Sequence, residues 1–115
     1  MSQITSHVLD TSKGAPASAL PITLEFKRGD EWVLVHQALS NADGRVGDFL
    51  DHGRVLEVGD YRMNFDTKAY YDGLAESCFY PYVEVVFTIV ESQLNEHFHI
   101  PLLLSPYGYS TYRGS

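Results

Sequence analysis

Five histidines stand in this chain: His7, His36, His52, His97 and His99. Imidazole has an ordinary pKa of about 6.5, so it can take up and return protons near neutrality. His97 and His99 are separated by one residue in Glu96-His97-Phe98-His99-Ile100. On a strand that spacing puts both rings on one face, about 7 Å apart along the chain. His7 sits mid-run in Ser6-His7-Val8-Leu9. A β-former would pack better there, which marks that face as one with a use. A single strand histidine ordinarily does no more than hydrogen-bond at the surface, so the spacing carries the argument. Two chemistries fit it. One is zinc hydrolysis, with His97, His99 and a distant third histidine such as His7 as ligands and a fourth position for water. No carboxylate is in phase, because Glu96 falls on the opposite face, and no metal ligands are assigned. The other is metal-free general acid–base catalysis.

Other polar groups add to the candidate set. Gly108-Tyr109-Ser110-Thr111-Tyr112 resembles the start of a nucleophile elbow. Its fifth residue is Tyr rather than Gly, and the run reads as a strand rather than a strand-to-helix turn. Ser110 is therefore expected to be a hydrogen-bonding group on the face of Gly108 and Tyr112. Arg45 follows Asp43-Gly44 just past a tight turn, and Arg113 lies near the last residue. Most such arginines are simply solvated. A guanidinium fork nevertheless suits planar, anionic or carbonyl-rich ligands, because it offers paired donors.

The elements that must position these groups have period two. In Leu20-Pro21-Ile22-Thr23-Leu24-Glu25-Phe26-Lys27, apolar residues alternate with polar ones or Pro. Side chains on a strand alternate faces, so this is a half-buried strand. Tyr61, Met63 and Phe65 alternate with Arg62, Asn64 and Asp66, and Val83, Val85, Phe87 and Ile89 share a face opposite Glu84 and Thr88. Trp32, Leu34, Phe98, Ile100 and Leu102 are expected to continue the buried face. Lys13-Gly14, Arg28-Gly29-Asp30, Asn41-Ala42-Asp43-Gly44 and Val58-Gly59-Asp60 punctuate the runs as turns. The expectation is an all-β chain of seven or eight strands, an antiparallel sandwich or barrel, with one short helix within about Lys68–Ser77.

With 115 residues, 44% of them hydrophobic and 20% charged, the chain is expected to form one domain over 1–115. The formal net charge of −7, without any Lys/Arg run, speaks against nucleic acid. No apolar stretch approaches the roughly 20 residues of a bilayer span, so no membrane role is expected. The first residues resemble no signal peptide, which points to the cytoplasm, or to the periplasm if a signal has been removed. Cys78 is alone, so an internal disulfide is impossible, and a half-buried thiol is expected.

"SHVLDTSKGAPASALPITLEF" and "HIPLLLSPYGYSTYRGS", with "NADGRVGDF" and "FYPYVEVVFTI" between them, resemble the transthyretin-related family, and within it the 5-hydroxyisourate hydrolases of purine catabolism. The resemblance runs essentially end to end. It implies a transthyretin-like β-sandwich of two four-stranded sheets with one short helix. It also implies a homotetramer, a dimer of dimers, with sites in the channel between dimers. By matching motifs it implies His7, Arg45, His99 and Ser110 as catalytic residues. Tyr112, Arg113, Gly114 and Ser115 would line the site with Arg45, a tetrapeptide that the hormone-carrying transthyretins lack. The implied reaction is hydrolysis of 5-hydroxyisourate to 2-oxo-4-hydroxy-4-carboxy-5-ureidoimidazoline, without a cofactor. A small-molecule carrier of the same fold is the competing reading, because a fold does not settle function.

Overall fold

The computed structural model describes residues 2–114. Its strands follow the alternation. β1 (Ile4–Asp10), β2 (Ala15–Pro16), β3 (Pro21–Arg28), β4 (Glu31–Leu39), β5 (Arg45–Val46), β6 (Gly59–Phe65), β7 (Val83–Ile89), β8 (Phe98–Ser105) and β9 (Gly108–Thr111) form two sheets. One runs β4-β3-β6-β7; the other runs β2-β1-β8-β9, with β5 also paired to β1. β2 pairs with β1 at Leu9 and Asp10, and β5 pairs with it at Ser6 and His7, so the two short strands share one flank of β1. The second sheet thus counts five strands, with β2 and β5 sharing one edge position.

The core lies between the sheets. Ile22, Leu24 and Phe26 of β3 meet Ile4 and Val8 of β1 and Ile100, Leu102 and Leu104 of β8 in one buried cluster. Burial of this apolar area holds the sandwich together, at about 25 cal/mol per Å². The helix, α1 (Thr67–Gly73), starts where the Asp66 side chain accepts the Ala69 N–H at 3.0 Å. It ends at Gly73, inside the expected window of about Lys68–Ser77, and starts one residue before that window. The half-buried Cys78 is as expected.

One face differs from the sequence reading. Trp32 pairs with Lys27 and Leu34 with Glu25, on the outer face of β4. Val33 pairs instead with the core residue Phe26, and a bulge between Leu34 and His36 then brings His36 opposite the buried Leu24. An extra residue in one strand shifts which side chains face inward. Trp32 is covered from outside by the Arg62 guanidinium, 4.5 Å from its ring centre.

Candidate active site

The parallel pairing of β1 with β8 joins residues more than ninety positions apart. Thr5 lies opposite His99, and His7 opposite Pro101. On the other flank of β1, Arg45 of β5 lies opposite His7. Partners in a ladder point to the same face, so Thr5, His7, Arg45 and His99 share the outer face of this sheet. The His7 and His99 rings are 6.4 Å apart between centroids, and the His97 ring stacks 6.4 Å from His99 on the other side. The i, i+2 spacing has done what a strand requires of it.

Arg45 is delivered by its turn. The Asn41 side-chain oxygen accepts the N–H groups of Asp43 at 2.9 Å and Arg45 at 3.0 Å. Gly44 has φ +77°, and a Cβ there would sit 2.4 Å from the Val8 carbonyl oxygen. Only glycine lets the turn approach β1 this closely, and that approach sets Arg45 beside His7.

Thr5 completes the histidine cluster, and sequence reasoning missed it. Its hydroxyl oxygen is 2.8 Å from His99 Nδ1 and 3.1 Å from His97 Nε2. A hydroxyl has one proton, so it donates to one ring and can accept from the other. When His99 Nδ1–H donates to Thr5, the Thr5 hydroxyl donates to His97. His99 Nε2 is then left with a free lone pair, the tautomer a general base needs. The only available signal was that Thr5 is two residues from His7.

Burial lowers the proton affinity of His7, and the nearby Arg45 charge lowers it further, while a hydrogen bond to the Asp43 carbonyl pulls the other way. Burial likewise lowers that of His99, assisted by Arg45, His7 and His97. Both rings therefore release their proton below the ordinary value of about 6.5, which favours the neutral form at pH 7. Together with Thr5, Gly47 and His97, Arg45 and His99 line an open cleft of about 240 Å³. A neutral base beside a fixed cation can deprotonate water and balance charge on a planar carbonyl compound.

The carboxyl-terminal motif reaches this cluster through Gly114. Its N–H donates to the His99 carbonyl at 2.7 Å, and the His99 N–H returns a bond at 3.3 Å. A Cβ on Gly114 would lie 3.0 Å from both Cβ and Cδ2 of His99. The backbone thus passes flat against the imidazole. Tyr112 is exposed. Arg113 is engaged elsewhere: its guanidinium bonds Glu96 at 2.8 Å and lies 4.4 Å over the Phe98 ring. Ser115 lies outside the described residues. Ser110 pairs with Leu103, on the same outer face as His99. Four residues separate Leu103 from His99, so Ser110 stands about 13 Å along the sheet from that ring. One chain therefore unites His7, Arg45, His99 and Gly114 but not Ser110.

The ligand atoms of His7, His97 and His99 do not converge within 4.8 Å as a set, among the described residues. With Thr5 between two of the rings, this trio is a hydrogen-bonded cluster and a poor zinc cage. A larger cleft of about 330 Å³ opens between the edges of the two sheets, lined by Val85, Phe87, Phe98, Ile100, Tyr112 and Arg113. It holds no imidazole.

Comparison with known proteins gives a consistent result. The family profile described as HIUase/Transthyretin family matches residues 4–114. "5-hydroxyisourate hydrolase" of Mus musculus is 42% identical over 116 residues, covering 99% of this chain and 96% of the mouse protein. "Uric acid degradation bifunctional protein TTL" of Arabidopsis thaliana is 45% identical over 97% of this chain, which spans 37% of that longer protein. The solved structure of Klebsiella pneumoniae 5-hydroxyisourate hydrolase superposes with a TM-score of 0.85 at 32% identity, covering 100% of both chains.

Proposed function

This chain belongs to the HIUase/transthyretin family, and on that premise we propose that it is a 5-hydroxyisourate hydrolase acting in urate degradation. His7 and His99 beside Arg45 on one sheet face, with burial favouring the neutral form of both rings, carry this reading. A hormone-type carrier would want an apolar channel; this cleft carries a guanidinium and two imidazoles.

The chemistry follows from those groups. A histidine lone pair removes a proton from water as the water oxygen bonds to a ring amide carbonyl carbon. The carbonyl oxygen gains the negative charge, which the Arg45 guanidinium offsets. The carbonyl re-forms, the ring carbon–nitrogen bond breaks, and the imidazolium returns its proton to the departing nitrogen. The products are the opened ring bearing a new carboxylic acid, which gives its proton to solvent to become the carboxylate, and a restored neutral histidine. General acid–base catalysis of this kind supplies about 10²–10⁴-fold. Fixed charge stabilisation contributes about 10²–10³ more. We assign His99 the stronger claim to the base, because Thr5 can hold its tautomer.

Ser110 and Tyr112 belong in this reading to a neighbouring copy. Ser110 is about 13 Å along the outer sheet face from the imidazoles of its own chain, and Tyr112 is exposed in the cleft between the sheet edges. A homotetramer built as a dimer of dimers would close that face into a channel and bring Ser110 to the substrate ring. The open apolar edge between β7 and β9 supplies the other contact surface. Arg113 holds the tail in place through Glu96, and Gly114 closes the wall beside His99.

The test is direct. 5-Hydroxyisourate made from urate with uricase should lose its absorbance faster when this protein is added. His99→Asn should fold normally and lose at least about 10²-fold in turnover. Unaccelerated decay with the wild-type protein would rule out the assignment.

A further inference from the structure

We propose that His36, Asp48 and His52 form a binding site for a borderline divalent transition ion such as zinc, on the side of the molecule where β4 is the sheet edge. These residues play no part in the hydrolytic reading. Asp48 offers one carboxylate oxygen to each imidazole: Oδ2 is 3.2 Å from His52 Nε2, and Oδ1 is 3.6 Å from His36 Nε2. The two rings stack with centroids 4.3 Å apart and planes inclined by 23°. All three ligand atoms lie within 4.8 Å of one another, the sole such trio among the described residues.

The spacing suits a metal. Ligands held at about 2.0–2.1 Å around a tetrahedral ion are separated by about 3.3 Å from each other. Both nitrogen–oxygen separations already bracket that edge. Only the gap between the two imidazole nitrogens must close, and His52 is exposed enough to swing. Two imidazoles and a carboxylate leave a fourth position for water and favour zinc-like ions over calcium or magnesium.

The placement of His36 also needs a reason. The bulge in β4 turns it to the core-facing side of the sheet, opposite Leu24 and edge-on to the buried Phe49 ring at 6.2 Å. An apolar residue would pack better there. Its side chain makes no hydrogen bond among the described residues, and that of His52 bonds only Asp48. A bound ion would satisfy both nitrogens and tie the turn after β5 to the exposed edge of β4. Asp48 is three residues past Arg45, so the same ion would steady the segment that carries the catalytic guanidinium.

Cobalt(II) is the probe, followed by its visible absorption and by equilibrium dialysis against the intact protein. Wild type should take up one equivalent per chain, and zinc should displace it. His52→Ala and Asp48→Asn change exposed side chains, and their circular dichroism should match wild type. Each should weaken cobalt binding at least about tenfold. His97→Ala should leave it intact. Binding unchanged in His52→Ala and Asp48→Asn, binding lost only in His97→Ala, or no uptake by wild type at millimolar cobalt would each overturn the proposal.

Discussion

Arg45 stands beside two imidazoles and weakens their hold on a proton, so its charge should be visible in a pH profile. The native histidines titrate below their ordinary value of about 6.5. Activity needs the neutral base, so kcat/KM should rise through an acid limb whose midpoint lies below 6.5. Arg45→Gln removes a cation, which raises the histidine proton affinity and moves that limb upward toward 6.5. A limb that stays where it is in this variant would mean that Arg45 does not set the protonation of the site. Gly114 gives a second residue-level test. Gly114→Ala places a methyl 3.0 Å from the His99 ring, so the imidazole or the tail must shift by a few tenths of an ångström. Displacements of this size matter to proton transfer. The variant should lose about tenfold or more in kcat while melting within a few degrees of wild type. Unchanged kcat would separate the tail from the catalytic geometry.

At the scale of elements, α1 is fastened to the end of β1 by one buried carboxylate. Asp10 accepts the Ser12 hydroxyl at 2.6 Å and the Tyr70 hydroxyl at 2.7 Å, besides the N–H groups of Ser12 and Lys13. Burial by itself would raise the Asp10 carboxyl, but the bonds from Ser12, Tyr70 and Lys13 outweigh it and hold it below its usual value. A depressed carboxyl stabilises the fold above its unfolded pKa of about 3.9 and loses that contribution as pH falls through the lower native value. Asp10→Asn should therefore be less stable at pH 7 and less sensitive to acid between pH 5 and 2. Parallel melting curves for the two proteins over that range would contradict this role. Much of this level was legible in advance, since the alternation in β3 and β6 is strict and Gly29 and Gly59 mark their turns. Trp32 and Leu34 were misplaced because a bulge is silent in the pattern: it inserts a residue without changing composition. Thr5 and Gly114 were illegible as partners of His99 for a different reason. Their contacts come from pairings between distant strands, and no local period encodes which strands become neighbours. His36 and His52 met only because the turn after β5 folds back on β4.

At the scale of the whole molecule, one sandwich keeps Ser110 apart from the imidazole cluster. His7, Arg45 and His99 lie at one level of an outward sheet face, while Ser110 is displaced along it by about four residues. The resemblance in the sequence supplied Ser110; nothing in the composition of the strands could say how far from His99 it would stand. The apolar opening between the β7 and β9 edges, with Val86 and Tyr112 exposed nearby, offers a surface that a second copy can cover. Catalysis should then require assembly. The measurement that bears most directly on this account is complementation between two inactive variants, His99→Asn and Ser110→Ala. Each should be nearly inactive alone in the 5-hydroxyisourate decay assay. Hybrids made by co-refolding equal amounts should recover about a quarter of wild-type activity, since half the sites keep the histidine and half of those draw an intact serine from the neighbour. Hybrids no more active than the sum of the separate variants would contradict a site shared between chains.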